Sequence, residues 1–533
     1  MSSTRTSIAP MATDLQVAVR KVASINPATG DVLREIDCAS DAQVQQAVAR
    51  ARSAQRQWAA RDVGARIEIL KQFQRTLQDM KTEVARLITR EAGKPYVEAL
   101  LTEVLVVLDA TRFLVENARS FLRDQPIPHG SLAMKTKAGR LVREPRGVIG
   151  IISPWNYPLS IPAVETLAAL VTGNAVVLKP SEFTSLIALE FESMLRAAGV
   201  PEAIFQVLPG DGATGAALLE SEINKLVFTG SVPTGKRIAQ ACAKRLLPVL
   251  LELGGKDPML VLDDADLNVA SSAAVWGAFV NAGQACLSVE RCYVHRSLYP
   301  RFLEACTTKA RKLRVGNGLD SEIDIGPMIH ERQLRIVESQ VEDAKAMGAR
   351  VLTGGTPLPE LGPNFYAPTV LADVTPQMQI IQQETFGPVL PIAPFDTDAQ
   401  AIQLANDSEF GLAASVFTRN TPRGEAIARK LAAGTVMVND VISCFGISEA
   451  PHGGIKASGI GRAHGRQGME EMVRLKYLDV DRMPRTKKLW WYGYGESFAR
   501  HMEAFVDFQF ARGMGRRIKG GLQSVGVVGG KKL

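Results

Sequence analysis

Hydrophobic residues between positions 42 and 124 recur every three or four residues. Two such sets are Ala47, Ala51, Ala54 and Trp58, and Ile67, Leu70, Phe73 and Leu77. This spacing predicts amphipathic helices. Segment 139–153 differs, because GRLVREPRGVIGIIS combines β-branched residues with Gly and Pro, which predicts strands.

Beyond residue 153, short apolar runs alternate with helix-like stretches. The runs lie at 175–178, 205–208, 226–228 and 259–261, and then at 291–295, 369–371, 389–393, 414–418 and 435–439. Strands that alternate with helices form βαβ units around a parallel sheet. The pattern predicts the α/β class, with two α/β domains joined near residue 253.

The composition agrees with a globular chain of more than one structural unit. The chain has 533 residues, of which 46% are hydrophobic and 22% charged. Chains usually divide beyond ~250–300 residues, and this composition excludes collagen and wholesale disorder. No apolar run approaches the ~18–20 residues of a membrane span. Residues 1–22 have no apolar core of a secretory signal.

The number of cysteines and the distribution of net charge exclude some classes of protein. Six cysteines without a CxxC pair predict neither a disulfide framework nor a metal site, and they suggest the cytoplasm. Residues 482–533 carry eleven Lys/Arg and three Asp/Glu, a local charge of +8 within a total of +7. The first 481 residues therefore have a net charge of −1. A nucleic-acid enzyme usually carries its positive charge over its body, so we predict no nucleic-acid partner.

Segment 230–236, GSVPTGK, follows a strand-like run and fits the GxxxxGK of a phosphate-binding loop. The next residue is Arg237, where that loop needs a Ser or Thr hydroxyl for Mg²⁺. The sequence therefore does not favour a nucleotide triphosphatase. A helix N-terminus after a Gly-Ser turn still presents backbone N–H groups to an anion, although a simple strand-to-helix turn explains the segment equally well.

Several polar residues lie in settings that suit chemistry. Cys286 has small neighbours, but a lone cysteine is more often an inert buried residue, and a nucleophilic one needs a base or a lowered pKa. Glu252 lies in an apolar run, where burial raises the pKa of a carboxyl group; a buried partner is the alternative. Glu384 adjoins a Phe-Gly-Pro break. Lys179 and Glu182 follow an apolar strand, where α/β folds bind ligands.

Seven motifs together resemble the NAD(P)-dependent aldehyde dehydrogenase superfamily over about residues 23–480. They are PWNYP at 154–158, GNAVVLKPSE at 173–182, FTGS at 228–231, LELGGK at 251–256, GQAC at 283–286, ETFGP at 384–388 and GGIKASG at 453–459. Their order and approximate spacing are those of the family. The match is specific for the family and uninformative about the substrate.

The resemblance implies a role for each matched residue. Cys286 is the expected nucleophile, Glu252 the base that activates water, and Asn156 an oxyanion donor. The implied cofactor-binding residues are Trp155, Lys179, Glu182, Gly230, Ser231, Glu384 and Phe386. In this chemistry the thiolate adds to an aldehyde, hydride leaves for the nicotinamide, and water hydrolyses the resulting thioester to the acid. Oxyanion donors of this kind are worth ~3–4 kcal/mol.

The resemblance also implies a domain organisation. A Rossmann-like cofactor domain covers 23–127 and 148–253, and a catalytic domain covers 254–438. Bridging strands at 128–147 and 470–481 imply a homo-oligomer, either a dimer or a tetramer. An N-terminal extension (1–22), a loop returning to the cofactor domain (439–469) and a helical tail (482–533) complete the chain. The sequence departs from the pattern of the family at two positions. His452 stands before Gly453 where the family usually has an aromatic residue, and Ala463 stands after Arg462 where an acidic residue is common.

Substrate and cofactor preferences are further expectations. We predict NAD, with NADP as the alternative, because Glu182 would repel a 2′-phosphate. We predict an apolar aldehyde, either medium- or long-chain aliphatic or aromatic, because no Arg occurs near Tyr157, Cys286 or 441–447 to pair with a distal carboxylate. The competing functions are a semialdehyde dehydrogenase, a CoA-acylating dehydrogenase, which generally lacks the base, and a non-catalytic binding protein.

The tail holds eight of the 32 aromatic residues of the chain. Phe498, Met502, Phe505 and Phe508 share one face of a predicted helix, and basic residues follow it. Peripheral contact with an anionic membrane is one interpretation of this pattern. Packing of the aromatic residues onto the body or a second subunit is the other.

Overall fold

The structure is a computed structural model that describes residues 20–488 and 490–524. Most of the predicted N-terminal extension lies outside the described residues, as do Leu489 and residues 525–533 of the predicted tail. The chain divides into two compact units. The larger unit lies within 1–122 and 144–474, and the smaller within 123–143 and 475–533.

Strands β1–β18 are, in chain order, Lys21–Ile25, Val32–Asp37, Gln125–Ile127, Lys137–Pro145, Val148–Ile152, Ala175–Lys179, Phe205–Val207, Lys225–Thr229, Val249–Glu252, Asp257–Val261, Val289–His295, Arg350–Thr353, Thr369–Ala372, Val389–Phe395, Ala413–Phe417, Thr435–Val438, Gly459–Ile460 and Val473–Asp481. Helices α1–α18 are Asp41–Ala60, Val63–Asp79, Lys81–Ala92, Tyr96–Ala99, Leu105–Leu122, Ser160–Val171, Ser185–Ala197, Gly212–Glu220, Val232–Arg245, Leu267–Phe279, Tyr299–Ala310, Glu331–Ala346, Gln379–Gln382, Asp398–Asn406, Thr421–Ala428, Gly465–Glu471, Glu496–Phe510 and Met514–Ser524. A π-helical turn, Leu100–Val104, joins α4 to α5.

The larger unit contains a six-stranded sheet in the order β17-β9-β8-β5-β6-β7. Its strands are parallel except for β17, which pairs antiparallel with β9. All residues of β6 are buried, as expected for a parallel strand covered by helices on both faces. Lys179 ends β6 and Glu252 ends β9. The predicted site residues therefore follow the carboxyl ends of this sheet, where α/β folds bind ligands.

A second, seven-stranded sheet of the larger unit has the order β12-β13-β14-β11-β10-β15-β16. Only β12 pairs antiparallel with its neighbour. The segment with Cys286 lies between α10 and β11, so both a helix end and a strand start fix its position. Together the two sheets confirm the predicted α/β class. The exact domain bounds stay a prediction.

The smaller unit contains the three-stranded sheet β18-β4-β3, in which β4 is central. The predicted bridging strands fall in this sheet. It also contains α17 and α18, which pack against each other as a hairpin. A Cβ atom on Gly520 would lie 2.6 Å from the Ala504 carbonyl oxygen. Glycine therefore permits the close approach of the two helices.

The tail differs in one respect from the sequence interpretation. The predicted aromatic helix corresponds to α17, but a second helix, α18, follows it. Met514, Ile518 and Leu522 of α18 are 75%, 57% and 74% exposed, while Phe508 of α17 is 37% exposed. Residues 514, 518 and 522 therefore form an exposed apolar stripe on α18, and α17 also exposes Val506 (52%) and Phe510 (74%). None of the helices formed by residues 20–488 and 490–524 is long and apolar enough to cross a membrane.

Candidate active site

A strained turn positions Cys286. Asn281 and Ala282 have φ angles of 52° and 54°, in the left-handed region that non-glycine residues seldom adopt. The amide N–H of Asn281 donates to Glu98 Oε2 at 2.9 Å, which holds the turn. Such strain persists only where the surrounding structure imposes it, and it concentrates at functional sites. The turn places the half-buried thiol of Cys286 just before the amino end of β11.

Asn156 contacts the same turn from the other side. Its side-chain amide donates to the Gln284 carbonyl oxygen at 3.1 Å, two residues before Cys286. A primary amide has two N–H groups, so one remains to bond an oxyanion beside the sulfur. The backbone carbonyl of Asn156 accepts from Lys94 Nζ at 2.8 Å and from Asn281 Nδ2 at 3.0 Å. These bonds fix the predicted oxyanion donor relative to the cysteine.

The thiol of Cys286 is protonated near neutral pH in this environment. Burial raises the pKa of Cys286 well above its usual value, and the nearby carboxylates of Asp257, Glu384 and Glu252 raise it further. A thiolate therefore forms only when a base removes the proton or when a bound cation offsets the negative field. The oxidised nicotinamide ring carries such a positive charge.

Glu252 lies at the end of β9 with a side chain that is 6% exposed. Burial raises the pKa of Glu252 well above that of a free carboxyl group, and Glu165 adds to the shift. Neither side-chain oxygen has a hydrogen-bond partner among the described residues. Glu252 and Cys286 line one small cavity of about 20 Å³. A raised pKa suits a base that must take up and release a proton near neutrality.

A much larger cavity, of about 520 Å³, also has Cys286 in its wall and shares Ile161 and Phe445 with the small one. Its walls are mainly apolar, and they include Leu105, Val106, Ile161, Trp276, Leu287 and Phe445. The volume lies within the ~300–1,000 Å³ range of small-molecule sites. Asp109 is the charged side chain at the wall, and neither Arg nor Lys of the described chain lines it.

The cofactor residues predicted at the end of β6 form a pair. Lys179 Nζ lies 3.3 Å from Glu182 Oε2, and their side chains are 6% and 39% exposed. The Glu182 carboxylate therefore faces solvent, where it can accept hydrogen bonds from ribose hydroxyls. Ser231 precedes α9, whose N-terminus can hold a phosphate. A Cβ on Gly230 would lie 2.6 Å from the Phe228 ring, so this turn requires glycine.

The residues predicted around the nicotinamide also lie together. The rings of Trp155 and Phe386 meet edge to face with centroids 5.4 Å apart. Phe386 has a left-handed backbone (φ 52°), which Glu290 stabilises by accepting the Phe386 N–H at 2.9 Å. Glu384 accepts the Gly255 N–H at 3.0 Å. Burial raises the pKa of Glu384, and the Glu290 carboxylate adds to this shift.

These groups fit a dinucleotide. The helix N-terminus at Ser231 suits a pyrophosphate, the carboxylates of Glu182 and Glu384 suit two riboses, and the aromatic pair suits a planar ring. A side chain at Gly230 would meet the Phe228 ring, so this turn keeps its backbone exposed only with glycine or with a shift of that ring. Within residues 20–488 and 490–524, no three His, Cys, Asp or Glu side chains group as metal ligands.

Sequence reasoning missed the buried charges that support the site. Lys94 Nζ pairs with Glu103 Oε1 at 2.7 Å, both side chains being fully buried. Glu103 Oε2 accepts the N–H groups of Leu159 and Ser160, where α6 begins. Lys256 pairs with Glu290 at 2.6 Å. The one available signal was Glu103 itself, an acid inside the apolar run LLTEVLVVL.

The comparisons with known proteins agree with this geometry. The chain is 37% identical to 4,4′-diapolycopene aldehyde oxidase of Methylomonas sp over 512 residues, which cover 94% of each protein. It is 39% identical to a Mycolicibacterium smegmatis protein provisionally named succinate-semialdehyde dehydrogenase [NADP(+)], over 86% of this chain and 88% of that one. The structure of an NAD-dependent aldehyde dehydrogenase from Sinorhizobium meliloti superposes with a TM-score of 0.85. That enzyme is 35% identical, and the match covers 89% of this chain and 93% of the other.

The family model described as "Aldehyde dehydrogenase family" matches residues 16–478. That range contains every residue of the site described above and excludes the whole tail, residues 482–533. Because this family model covers most of the chain, and because the relatives share its sequence and fold, the chain belongs to the aldehyde dehydrogenase family.

Proposed function

We propose that the protein oxidises apolar aldehydes to carboxylic acids with NAD, through a covalent intermediate on Cys286. The observation that carries the proposal is the 520 Å³ apolar cavity that ends at the thiol. Burial of an alkyl chain there contributes about 25 cal/mol for each Å² of apolar surface removed from water. A distal carboxylate would instead face Asp109, whose partner Arg112, at 2.9 Å, does not line the cavity. It would therefore find no cation of its own among the lining residues.

In this mechanism the Cys286 thiol loses its proton to water, and its sulfur adds to the aldehyde carbon, while Glu252 stays a free carboxylate until hydrolysis. The oxyanion accepts hydrogen bonds from the Asn156 amide and the Cys286 N–H. Bound NAD supplies the acceptor for the two electrons and hydrogen that leave the carbon. Glu252 then takes a proton from water as the hydroxyl group adds to the thioester. The C–S bond breaks and the acid leaves.

Glu182 supports NAD over NADP as the cofactor. Its carboxylate is 39% exposed beside Lys179, and a 2′-phosphate would place like charge next to it. One relative is named for NADP and another for NAD, so the preference needs a measurement. We expect kcat/KM to be higher with NAD than with NADP, and we expect Glu182→Gln to reduce this NAD-to-NADP ratio. A ratio favouring NADP in the unaltered protein would overturn the assignment.

A semialdehyde substrate is the competing possibility, because relatives carry that name. A panel of hexanal, dodecanal, benzaldehyde and succinic semialdehyde, each with and without CoA, separates the candidates. We expect the apolar aldehydes to have the highest kcat/KM, and CoA to have no effect because Glu252 activates water. Succinic semialdehyde as the best substrate would refute the apolar assignment, and a strict CoA requirement would refute hydrolysis.

The tail supports a substrate that dissolves in lipid. Arg512, Arg516, Arg517 and Lys519 flank the exposed stripe of α18. An apolar stripe with basic neighbours suits an anionic membrane surface, where each basic residue adds ~1 kcal/mol. The match to the diapolycopene aldehyde oxidase leaves 6% of the chain uncovered. Since residues 482–533 make up about a tenth of the chain, that match must include part of the tail.

Co-sedimentation with vesicles of anionic phospholipid tests the membrane contact. The full chain with Met514→Glu, Ile518→Glu and Leu522→Glu is compared with the unaltered chain at low salt. A control carries Val269→Glu, Ile336→Glu and Leu361→Glu, which change exposed apolar residues elsewhere. We expect only the α18 variant to lose binding. Equal pelleting of all three proteins would refute the contact and favour packing of the tail against protein.

We also propose a homo-oligomer assembled through the three-stranded sheet. On its edge strand β18, Leu475, Tyr477, Leu478 and Val480 are 40–61% exposed. An exposed apolar edge strand is a template for pairing with another chain. Analytical ultracentrifugation should show a dimer or tetramer that Leu475→Lys weakens. A monomer at micromolar concentration would contradict this assembly.

A further inference from the structure

Two buried histidines lie beside Glu252, and the mechanism above gives them no role. His452 Nε2 is 3.8 Å from Glu252 Oε2, and the two side chains are 5% and 6% exposed. The ring centroids of His452 and His464 are 5.7 Å apart. Phe445 packs against both rings, with centroids at 5.2 Å and 4.5 Å. A line of buried polar side chains therefore starts at the proposed base.

The backbone fixes both histidines, although twelve residues separate them in sequence. His452 and Ala463 exchange two N–H···O bonds of 2.8 Å, which form an isolated antiparallel bridge. His464 follows at once with a φ angle of 61°, a left-handed conformation for a residue with a side chain. Such a conformation costs ~1–3 kcal/mol. The local structure thus imposes the approach of the second ring to the first.

Two small cavities lie in succession along this line. The first, of about 20 Å³, is lined by Cys286, Glu252, His452, His464 and Glu165. The second, also of about 20 Å³, is lined by His464 and Glu165 and reaches Ser448. A cavity needs ~10–15 Å³ to accommodate a water molecule. Since His464 and Glu165 border both cavities, they connect the base to the far side of the histidine pair.

The polar atoms around the first cavity lack protein partners. Among the described residues, thirteen buried side-chain oxygen or nitrogen atoms have no hydrogen bond, and five of them line this cavity. They are both Glu252 oxygens, Glu165 Oε2, His452 Nδ1 and His464 Nδ1. Buried polar atoms are almost always hydrogen-bonded to protein or to ordered water. Their concentration here favours a water-bridged chain of hydrogen bonds.

The reaction needs such a chain, because each turnover leaves protons in a buried site. When water adds to the thioester, its proton goes to Glu252, its hydroxyl group forms the new C–O bond, and the C–S bond breaks with its electron pair on sulfur. Glu252 must lose that proton before the next turnover. We propose that His452 and His464 form the exit path that carries this proton from Glu252 to solvent. The inference rests on the proposed role of Glu252.

The protonation states of the two rings fit this role. Burial lowers the pKa of His452 to about 4, helped by the Arg462 guanidinium, and lowers the pKa of His464 to about 3, helped by His452. Both rings are then neutral near pH 7, and each has one N–H and one bare nitrogen. The other titratable groups facing this region are Glu252, Glu165, Glu471, Lys225 and Cys286.

A neutral ring can pass a proton without remaining charged. Because Glu252 Oε2 and His452 Nε2 are 3.8 Å apart, a bridging water molecule carries the proton from the Glu252 O–H to His452 Nε2. His452 Nδ1–H then gives its own proton to the next acceptor, a water molecule or His464. The last proton enters solvent, and each ring returns to its first tautomer by exchange with water. His452 is therefore a positioning residue, which acts on the reaction through Glu252.

Stopped-flow NADH formation in His452→Phe and His464→Phe tests the path. We expect a rapid burst of about one NADH per site, at a rate within about twofold of the unaltered enzyme, because hydride transfer precedes hydrolysis. The steady-state rate should fall ~10-fold or more, the lower range of acid–base effects. The Kd of NAD should not change. The slow step should become faster as the concentration of a small buffer base rises, because the base can accept the proton in place of the histidines. A structural defect would not be rescued in this way.

Controls keep the result interpretable. His452→Gln preserves much of the ring volume but cannot relay a proton, so it should show the same burst if the Phe variant does not fold. His295→Gln changes a histidine that bonds Ser297, away from the site, and should leave both rates unchanged. Unchanged hydrolysis in both His452 variants, or equal slowing of both steps, would overturn the path. Failure of the unaltered enzyme to oxidise aldehydes, or of Glu252→Gln to stall, would instead overturn the proposed function.

Discussion

Two cavities meet at Cys286 and differ in what lines them. The first, called the substrate side here, has a volume of 520 Å³ and apolar walls, and the second, the Glu252 side, has a volume of about 20 Å³ and is bordered by two carboxyl groups and two imidazoles. Five unpartnered buried polar atoms line the small cavity, whereas none of the thirteen found in the described residues lines the large one. The substrate side therefore disfavours water, while the other side attracts it.

This division separates the two half-reactions around one sulfur atom. In the proposed function, an apolar aldehyde fills the large cavity and excludes water while the thiohemiacetal is oxidised. The hydrolytic water approaches from the Glu252 side once the thioester has formed. A thioester is consequently exposed to a single activated water molecule rather than to bulk solvent. The predictions below perturb one side at a time.

Cys286→Ala removes the atom shared by the two sides and should have the largest effect. We expect aldehyde oxidation to fall at least ~10⁴-fold, since removal of a covalent nucleophile leaves only binding and oxyanion contributions. The Kd of NAD should remain within about threefold, because the proposed cofactor contacts are at Trp155, Lys179, Glu182 and Glu384. NADH absorbance and fluorescence titration measure the two quantities. Substantial turnover by this variant would refute the covalent mechanism.

Glu252→Gln disables only the hydrolytic side. We expect one NADH per site in a rapid phase, followed by a steady state that is ~10²–10⁴-fold slower, the usual range for loss of a general base. Stopped-flow absorbance resolves the two phases. If both phases slow equally, Glu252 acts before hydride transfer, and the separation of the two sides fails.

Trp276→Ala changes only the substrate side. Trp276 lines the large cavity and is 40% exposed, so the variant removes apolar surface near its rim. We expect kcat/KM for dodecanal to fall ~10-fold, since partial loss of a large apolar contact costs ~1–2 kcal/mol. Propanal, which is too short to reach the rim, is the matched control and should change less than twofold. Equal losses for both aldehydes would indicate a general distortion.

The histidine pair should make stability depend on pH. The pKa of His452 is lowered to about 4 and that of His464 to about 3, against about 6.5 in the unfolded chain. The unfolded state then binds more protons below pH 6.5, so stability is full above that pH and declines as pH falls toward 4. When the pH falls from 6.5 to 5, each histidine lowers the free energy of unfolding by at most about 2 kcal/mol. The Tm of the double variant His452→Phe/His464→Phe should therefore decrease less over this pH range than the Tm of the unaltered protein. Equal decreases would contradict the buried neutral state of the two histidines.

Much of the fold, and the site residues that directly follow strands, can be predicted from the sequence because they depend on local patterns. Short buried strands and their helices are local patterns, so the apolar runs at 175–178, 226–228, 259–261 and 389–393 fall within β6, β8, β10 and β14. Polar residues directly after such strands, Lys179 among them, then reach one edge of a sheet. The particular roles of Cys286 and Glu252 came from the resemblance of motifs rather than from these patterns.

Other features depend on tertiary contacts that no local pattern records. Lys94 and Glu103 are buried because they satisfy each other and the start of α6, and a charge in a helix gives no hint of that partner. His452 was noted only as a departure from the family, since its approach to His464 arises from a backbone bridge. The exposed stripe of α18 was detectable: residues 514, 518 and 522 follow helical spacing.

The most direct test of the two-sided account is the mass of the Glu252→Gln protein after mixing with NAD and dodecanal. Intact mass spectrometry should show one dodecanoyl group per chain, and peptide mapping should place it on Cys286. The unaltered enzyme should show little adduct, because hydrolysis from the Glu252 side clears the thioester. An absent adduct, or one on a different residue, would contradict the account.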